Sequence, residues 1–252
     1  MTVRFPENHD IPALKRLWKV AFGDPEGFID DFFAIAFSPD RCRGIWDGEN
    51  PAAVLYWFDG AYLGQKFAYL YAVATDPSYR NRGLCWKLME DTAGLLTRAG
   101  YDGLVLCPAG EGLRRMYGSM GYVPCTDVTE FSVDIPGEPA SMERIGQGAY
   151  TRLRRELLPE GALVQEGVLL DFLASQAEFF RGEGWLAVGY CQEDTFFCQE
   201  LLGDASSAPG ILGALGMQKG KFRTPGTGRP LAMGRKLKDS CVLPTYLGLP
   251  LD

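Results

Sequence analysis

A single histidine, His9, stands in the whole chain. The seven cysteines (Cys42, Cys85, Cys107, Cys125, Cys191, Cys198 and Cys241) are scattered and never spaced CxxC. Histidine and paired cysteine being the usual zinc ligands, this excludes most zinc sites, and an odd, unpatterned set of thiols points to a reducing, cytoplasmic location. Positive charge is also scarce. Lys and Arg number 25 against 32 Asp and Glu, a formal net charge of -7. No nucleic-acid partner is expected, because neutralising phosphates needs a basic face. No run approaches the roughly 20 apolar residues that span a bilayer. MTVRFPENHDIP lacks both the cationic start and the apolar stretch of a signal peptide, so no membrane role is expected either. What the chain does have is core material: 46% hydrophobic and 23% charged residues over 252 positions. That suffices for one large domain or two ordinary ones.

Asp10 can cap a helix whose apolar positions Ile11, Leu14, Trp18 and Ala21 keep helical spacing up to Gly23. Pro25 opens a second helix with Phe28, Ile29, Phe32 and Phe33 on one face. Strands at Gly44–Trp46 and Ala52–Phe58 flank DGEN, a hairpin signal. FAYLYAVAT, Phe67 to Thr75, is apolar on both faces and reads as a central strand. A helix to about Arg98, a strand over Gly103–Cys107, a short helix at Glu111–Met116 and strands at Tyr122–Val123 and Thr129–Ile135 complete a mixed α/β unit over residues 1–135. PGEPA, Pro136–Ala140, reads as a linker. Residues 141–252 then repeat the order, with helical patterns at Met142–Leu158 and Val168–Phe180. Strands follow at Trp185–Tyr190, Thr195–Leu202, Lys221–Arg223 and Leu231–Lys236, with a loop at Gly203–Gly210. This second half has no counterpart of RNRGLC.

Between the central strand and its helix lies YRNRGLCWKLM, Tyr79 to Met89. The first turn of a helix leaves amide N–H groups unpaired and carries about half a positive charge. Gly83 lets backbone approach a bulky anion, and Arg80 and Arg82 add charge, so a pyrophosphate suits the turn. A Walker loop is excluded because no Gly-Lys-Ser/Thr follows, and a Rossmann fingerprint because there is no GxGxxG. The run AVATDPSYRNRGLCWKLM, followed by LVLCPA and RRMYGSMGYVP, resembles the core of the GCN5-related N-acetyltransferase (GNAT) superfamily over about residues 5–134. Its pyrophosphate signature falls on Arg80, Asn81, Arg82, Gly83, Leu84 and Cys85, with Cys85 departing from the usual Gly or Ala. LWKVAFGDPEGFIDDFF, YGSMGY and the weaker second copy are similar to the enhanced-intracellular-survival (Eis) type of tandem acetyltransferase. That type has a third, sterol-carrier-like domain, for which this chain is expected to be too short.

The resemblance implies a GNAT fold followed by a degenerate GNAT-like domain, acetyl-CoA as cosubstrate and a primary amine as acceptor. Direct attack of the amine on the thioester is expected, since no cysteine or serine sits in a nucleophile constellation, and a homo-oligomer is allowed for. The resemblance also implies that the N–H groups near Val73, Ala74 and Thr75 face the thioester, where unpaired donors would steady an oxyanion. Tyr117, the first tyrosine of YGSMGY, is the implied general acid, since a neutral phenol can protonate the departing thiolate. Tyr122 reads as structural. The base is open: His9 sits at a helix entrance, Asp24, Glu26, Asp30 and Asp31 serve equally as the wet face of the second helix, and the Asp252 terminus is a further candidate. Trp18, Phe22 and Phe33 are candidates for the acceptor site or for core. Cys85 beside two arginines at a helix start is either an acidified thiol or a small packed residue. A protein that binds acyl-CoA without turnover is the alternative to the enzyme.

Overall fold

A strand, β1 (Thr2–Arg4), leads into α1 (Ile11–Phe22), which buries Leu14, Leu17 and Trp18. Gly23 stops it by taking the left-handed conformation (φ 77°) and donating its N–H to Lys19 O at 3.0 Å. Pro25 precedes α2 (Glu26–Asp31), which runs on as a π-helical turn, Phe32–Ala36. That turn seats Phe32 against Trp18, ring centroids 4.5 Å apart. β2 (Cys42–Asp47) and β3 (Asn50–Tyr62) form the hairpin expected at DGEN. β4 (Gln65–Thr75) pairs antiparallel with β3. The crossover helix α3 (Leu84–Arg98) then brings β5 (Gly103–Leu106) parallel to β4. Leu84, Leu88, Met89, Ala93 and Leu96 fall on one stripe of α3 and pack on Leu55, Leu70 and Leu104 of the sheet. Each fully buried leucine there contributes about 1.5–3 kcal/mol. α4 (Glu111–Ser119) and β6 (Val123–Pro124) follow.

The chain continues through β7 (Asp127–Val133), β8 (Met142–Ile145), α5 (Gln147–Leu157), β9 (Val164–Gln165) and α6 (Val168–Gln176). Next come β10 (Glu178–Gly182), β11 (Trp185–Gln192), β12 (Thr195–Gly203), α7 (Ala208–Leu215), β13 (Lys219–Pro225), β14 (Arg229–Pro230) and β15 (Met233–Lys236). This computed structural model describes residues 1–251. It resolves into two compact units. One comprises Met1–Val123 with Met233–Leu243, and the other comprises Pro124–Ala232 with the segment from Pro244 onward. The sheet of the first unit runs β1-β2-β3-β4-β5-β15, and that of the second β14-β7-β13-β12-β11-β10-β8. Both are mixed, with β4–β5 and β12–β13 as the parallel pairs.

The units therefore divide differently from residues 1–135 and 141–252. β7, expected to close the first sheet, pairs with β13 of the second. The strand expected at Leu231–Lys236 is β15, and it pairs with β5 of the first. PGEPA is not a free linker, because Gly137 and Ala140 donate their N–H groups to Pro209 O (2.8 Å) and Gly210 O (2.9 Å) on α7. Gly203–Gly210 is not simply a loop, since α7 starts at Ala208. Each of the two helical patterns of the second half is part strand, β8 before α5 and β10 after α6.

A buried ion pair holds the second unit together. The Arg154 guanidinium donates to Glu200 Oε2 from Nε (2.7 Å) and to Oε1 from Nη2 (2.9 Å). The hydroxyls of Tyr150 and Tyr246 donate to the same carboxylate at 2.7 and 3.0 Å. All four groups are buried, and Glu200 is 0% exposed. Next to it, Gln165 exchanges hydrogen bonds with the backbone of Leu249, at 2.7 and 3.1 Å. Gly248 lies so close that a Cβ there would meet Glu200 Oε1 at 1.6 Å.

Candidate active site

The ladder between β4 and β5 ends at Leu70 and Leu106, yet β4 runs on to Thr75. Just past that point the β3–β4 register slips, with Ala72 in the left-handed region at φ 46°. Such a conformation costs an alanine about 1–3 kcal/mol. The bulge turns Val73, Ala74 and Thr75 out of the parallel ladder, as bulges beside sites do. The edge of β4 that faces β5 has no strand partner there among the described residues.

Asp76 accepts a hydrogen bond from Ser78 N at 2.8 Å and starts the next turn. Asn81 (φ 60°) and Gly83 (φ 70°) are both left-handed, conformations that asparagine tolerates and glycine adopts freely. Gly83 is the N-cap of α3 and no side chain caps the helix, which leaves the first-turn amides of Leu84, Cys85 and Trp86 without helix partners. A Cβ on Gly83 would meet nothing within 4 Å, so the turn is open above its backbone.

The bulge, the turn and α4 border one cleft of about 520 Å³. Eight of the nine residues expected at a cofactor line it: Val73, Ala74, Thr75, Arg80, Asn81, Gly83, Leu84 and Cys85. Arg82 does not. Its guanidinium turns back to donate to Ser78 O at 2.8 Å and lies 5.2 Å from the Tyr79 ring centroid. Tyr117 lines the same cleft from α4. YGSMGY is a helix stop in which Met120 N and Tyr122 N both donate to Tyr117 O, at 2.9 and 3.1 Å, with Gly121 left-handed at φ 85°. Burial, and secondarily Cys85, push the Tyr117 phenol well above the ordinary tyrosine range, so it stays protonated at neutral pH. Tyr122 is buried in the core, its ring 5.8 Å from that of Tyr117.

Cys85 departs from the acidified-thiol expectation. Its thiol is pushed up, not down, by burial, and the side chain packs against the core beneath α3. Timed iodoacetamide labelling with peptide mapping is therefore expected to mark exposed Cys191 first and Cys85 slowly.

At the α1 end the cleft is lined by Ala21 and Phe22. Trp18 is core, donating from Nε1 to Asp24 Oδ2 at 2.7 Å. Phe33 packs beside it, and Asp30 pairs with Lys15 at 2.6 Å. None of Asp24, Glu26, Asp30, Asp31 and His9 borders the cleft, and no carboxylate or histidine does among the described residues. Asp252 lies outside the described residues. The sequence reading missed Tyr79, Trp86, Leu113, Met116 and Met120, all lining residues. Trp86 left a signal, a large apolar residue off the buried stripe of α3.

The second unit carries a parallel arrangement. β12 pairs with β13 over Thr195–Cys198, slips register against β11 and continues to Gly203. Asp204 accepts from Ser206 N at 2.9 Å, as Asp76 does from Ser78. The next helix then begins at once, after Ser207. Arg80–Gly83 has no counterpart.

The acetyltransferase (GNAT) domain family matches residues 2–125. No curated protein matches the chain by sequence. Among solved structures the fold is shared with a GCN5-related N-acetyltransferase from Anabaena variabilis (TM-score 0.72, 14% identity, 94% of this chain and 73% of that one). It is shared with Eis1 from Mycobacterium abscessus (0.66, 10%, 94% and 74%) and with a putative acetyltransferase from Pyrococcus horikoshii (0.68, 14%, 98% and 93%). With the forked parallel pair, the open turn before α3 and the match over residues 2–125, the first half of this chain is a domain of the GCN5-related N-acetyltransferase (GNAT) family.

Proposed function

We propose that this protein moves an acetyl group from acetyl-CoA to a primary amine by direct attack of the amine on the thioester. The observation that carries this reading is the meeting, in one cleft, of an unpaired strand edge, an open anion-binding turn and a buried, protonated tyrosine. The residues fit the cosubstrate. The amides of Leu84–Trp86 and the Arg80 side chain would hold the pyrophosphate. The unpaired edge at Val73–Thr75 would take the pantetheine arm and present N–H donors to the carbonyl oxygen. Arg82 would stiffen the turn through Ser78 rather than touch the phosphates. Tyr117 would protonate the departing thiolate. Among the described residues no serine lines the cleft, and Cys85, which does, has its thiol pushed up by burial, which favours direct transfer. The second unit, with its fork but without the turn, serves as a degenerate copy that holds no cosubstrate.

One observation favours a second reading, a protein that binds acyl-CoA without turning it over: among the described residues, no carboxylate or histidine lines the cleft to deprotonate an ammonium. Thiol release from acetyl-CoA across a panel of amines separates the two.

Gly83→Glu tests the site itself. It forces a side chain into the left-handed region, fills the open space above the turn and sets a negative charge where the pyrophosphate belongs. Calorimetry is expected to show loss of acetyl-CoA binding in a variant that remains folded. Unchanged affinity would remove the turn from the site.

A further inference from the structure

Four of the five tryptophans are core. Trp18, Trp46, Trp57 and Trp185 are at most 5% exposed, whereas Trp86 is 45% exposed. It stands in the first turn of α3, off the stripe Leu84, Leu88, Met89 and Ala93 that seals the helix to the sheet. Core packing therefore does not account for an indole there. Its side chain lines the same cleft as Arg80 and Gly83. Its own amide belongs to the unpaired first turn that makes the anion site.

We propose that Trp86 is the platform on which the adenine ring of coenzyme A stacks. The inference rests on the functional reading above, which seats the pyrophosphate at the turn. Adenosine joins that pyrophosphate through one ribose carbon, so its base must come to rest within a few bonds of the α3 N-terminus. An exposed indole at that place offers a π-face that a purine can cover, shedding water from both rings. The pantetheine arm leaves from the other end of the pyrophosphate. Trp86 would thus distinguish a nucleotide-bearing thioester from a bare pantetheine thioester, a choice the phosphate turn makes by charge alone.

The test titrates coenzyme A and pantetheine separately into wild type, Trp86→Ala and Trp86→Phe, by calorimetry and by tryptophan fluorescence. Loss of one base–aromatic stack predicts a roughly 10- to 100-fold weaker affinity of Trp86→Ala for coenzyme A. Pantetheine binding stays unchanged, and Trp86→Phe keeps most of the wild-type affinity. Coenzyme A quenches the wild-type emission, and the quench disappears in Trp86→Ala. Equal coenzyme A affinity in wild type and Trp86→Ala overturns the proposal. So does a fall in pantetheine affinity by the same factor, which would put the indole on the arm. Wild type that binds no coenzyme A at all overturns the functional reading first, and this inference with it.

Discussion

Arg154→Met is expected to cost the second unit about 3–5 kcal/mol, the usual loss when one partner of a buried ion pair is removed. Glu200 is fully buried, and among the described residues its carboxylate takes hydrogen bonds from Arg154 and the hydroxyls of Tyr150 and Tyr246. Without the guanidinium its charge stays out of water with two neutral donors, which is too little. Burial alone would depress the Arg154 pKa. Glu200 outweighs it, and the guanidinium sits above its ordinary value, so the pair does not titrate at working pH from the arginine side. Domains are typically stable by only about 5–15 kcal/mol, so the variant should lose roughly a fifth or more of its margin. Urea unfolding monitored in each unit reads this. A further Glu200→Leu change should recover part of the loss, not all, because Tyr150 and Tyr246 would then lack their acceptor at about 1–3 kcal/mol each. A change below 1 kcal/mol in Arg154→Met would show that water reaches Glu200.

Tyr117→Phe should lower kcat about 10²-fold, or about 2.7 kcal/mol of barrier, if its phenol protonates the leaving thiolate. Acetyl-CoA affinity should hold, since the ring is kept and only the hydroxyl goes. The pH dependence has a definite sign. Burial raises the folded pKa above the tyrosine value, so the donor form persists as pH rises through 8 and 9. A fall in kcat over that range must come from another group, and it should survive in Tyr117→Phe. Single-turnover rates on a reactive amine decide the matter. Equal rates in the two proteins, with chemistry limiting, would leave Tyr117 as packing alone.

Much of the first unit was legible because its signals are local. Gly23 ends α1, DGEN makes its hairpin, and Gly83 before an apolar helical stripe marks α3. Asp10 stands before α1 as expected but does not cap it, its carboxylate accepting from Glu7 N and Arg4 instead. Partner choice was not local. The alternation that makes β7 and β15 strands says nothing about which sheet receives them, and β7 finds β13 some ninety positions away, Lys221 opposite Ser132. The start of α7 was obscured, because the stretch up to Gly210 read as loop while the helix begins at Ala208. Gly213 is there because a Cβ would meet Gly137 O at 2.2 Å, a packing reason invisible along the chain. Cys85 was open in the sequence for the same reason. Its helix-start setting allowed an acid thiol or a packed one, and burial against the core, which favours the packed one, is a tertiary property. At the site, the motifs named the turn and Tyr117 but not Leu113 and Met116, the other side chains of α4 that line the cleft.

The place of β15 in the first sheet gives the protein a schedule. On the ribosome, β5 emerges with Gly103–Leu106, but the strand that covers its free edge is Met233–Lys236. At 5–20 residues per second, roughly 110 residues of synthesis separate Val123 from Met233, a wait on the order of 10 s. Throughout it β5, the parallel neighbour of the strand that carries the cleft, presents bare N–H and C=O groups to every other nascent chain. Chaperone demand should therefore concentrate in this interval. A chain halted before Met233 would carry the full turn from Arg80 to Cys85 on an unfinished sheet, and a fragment cut at residue 135 would inherit the same open edge.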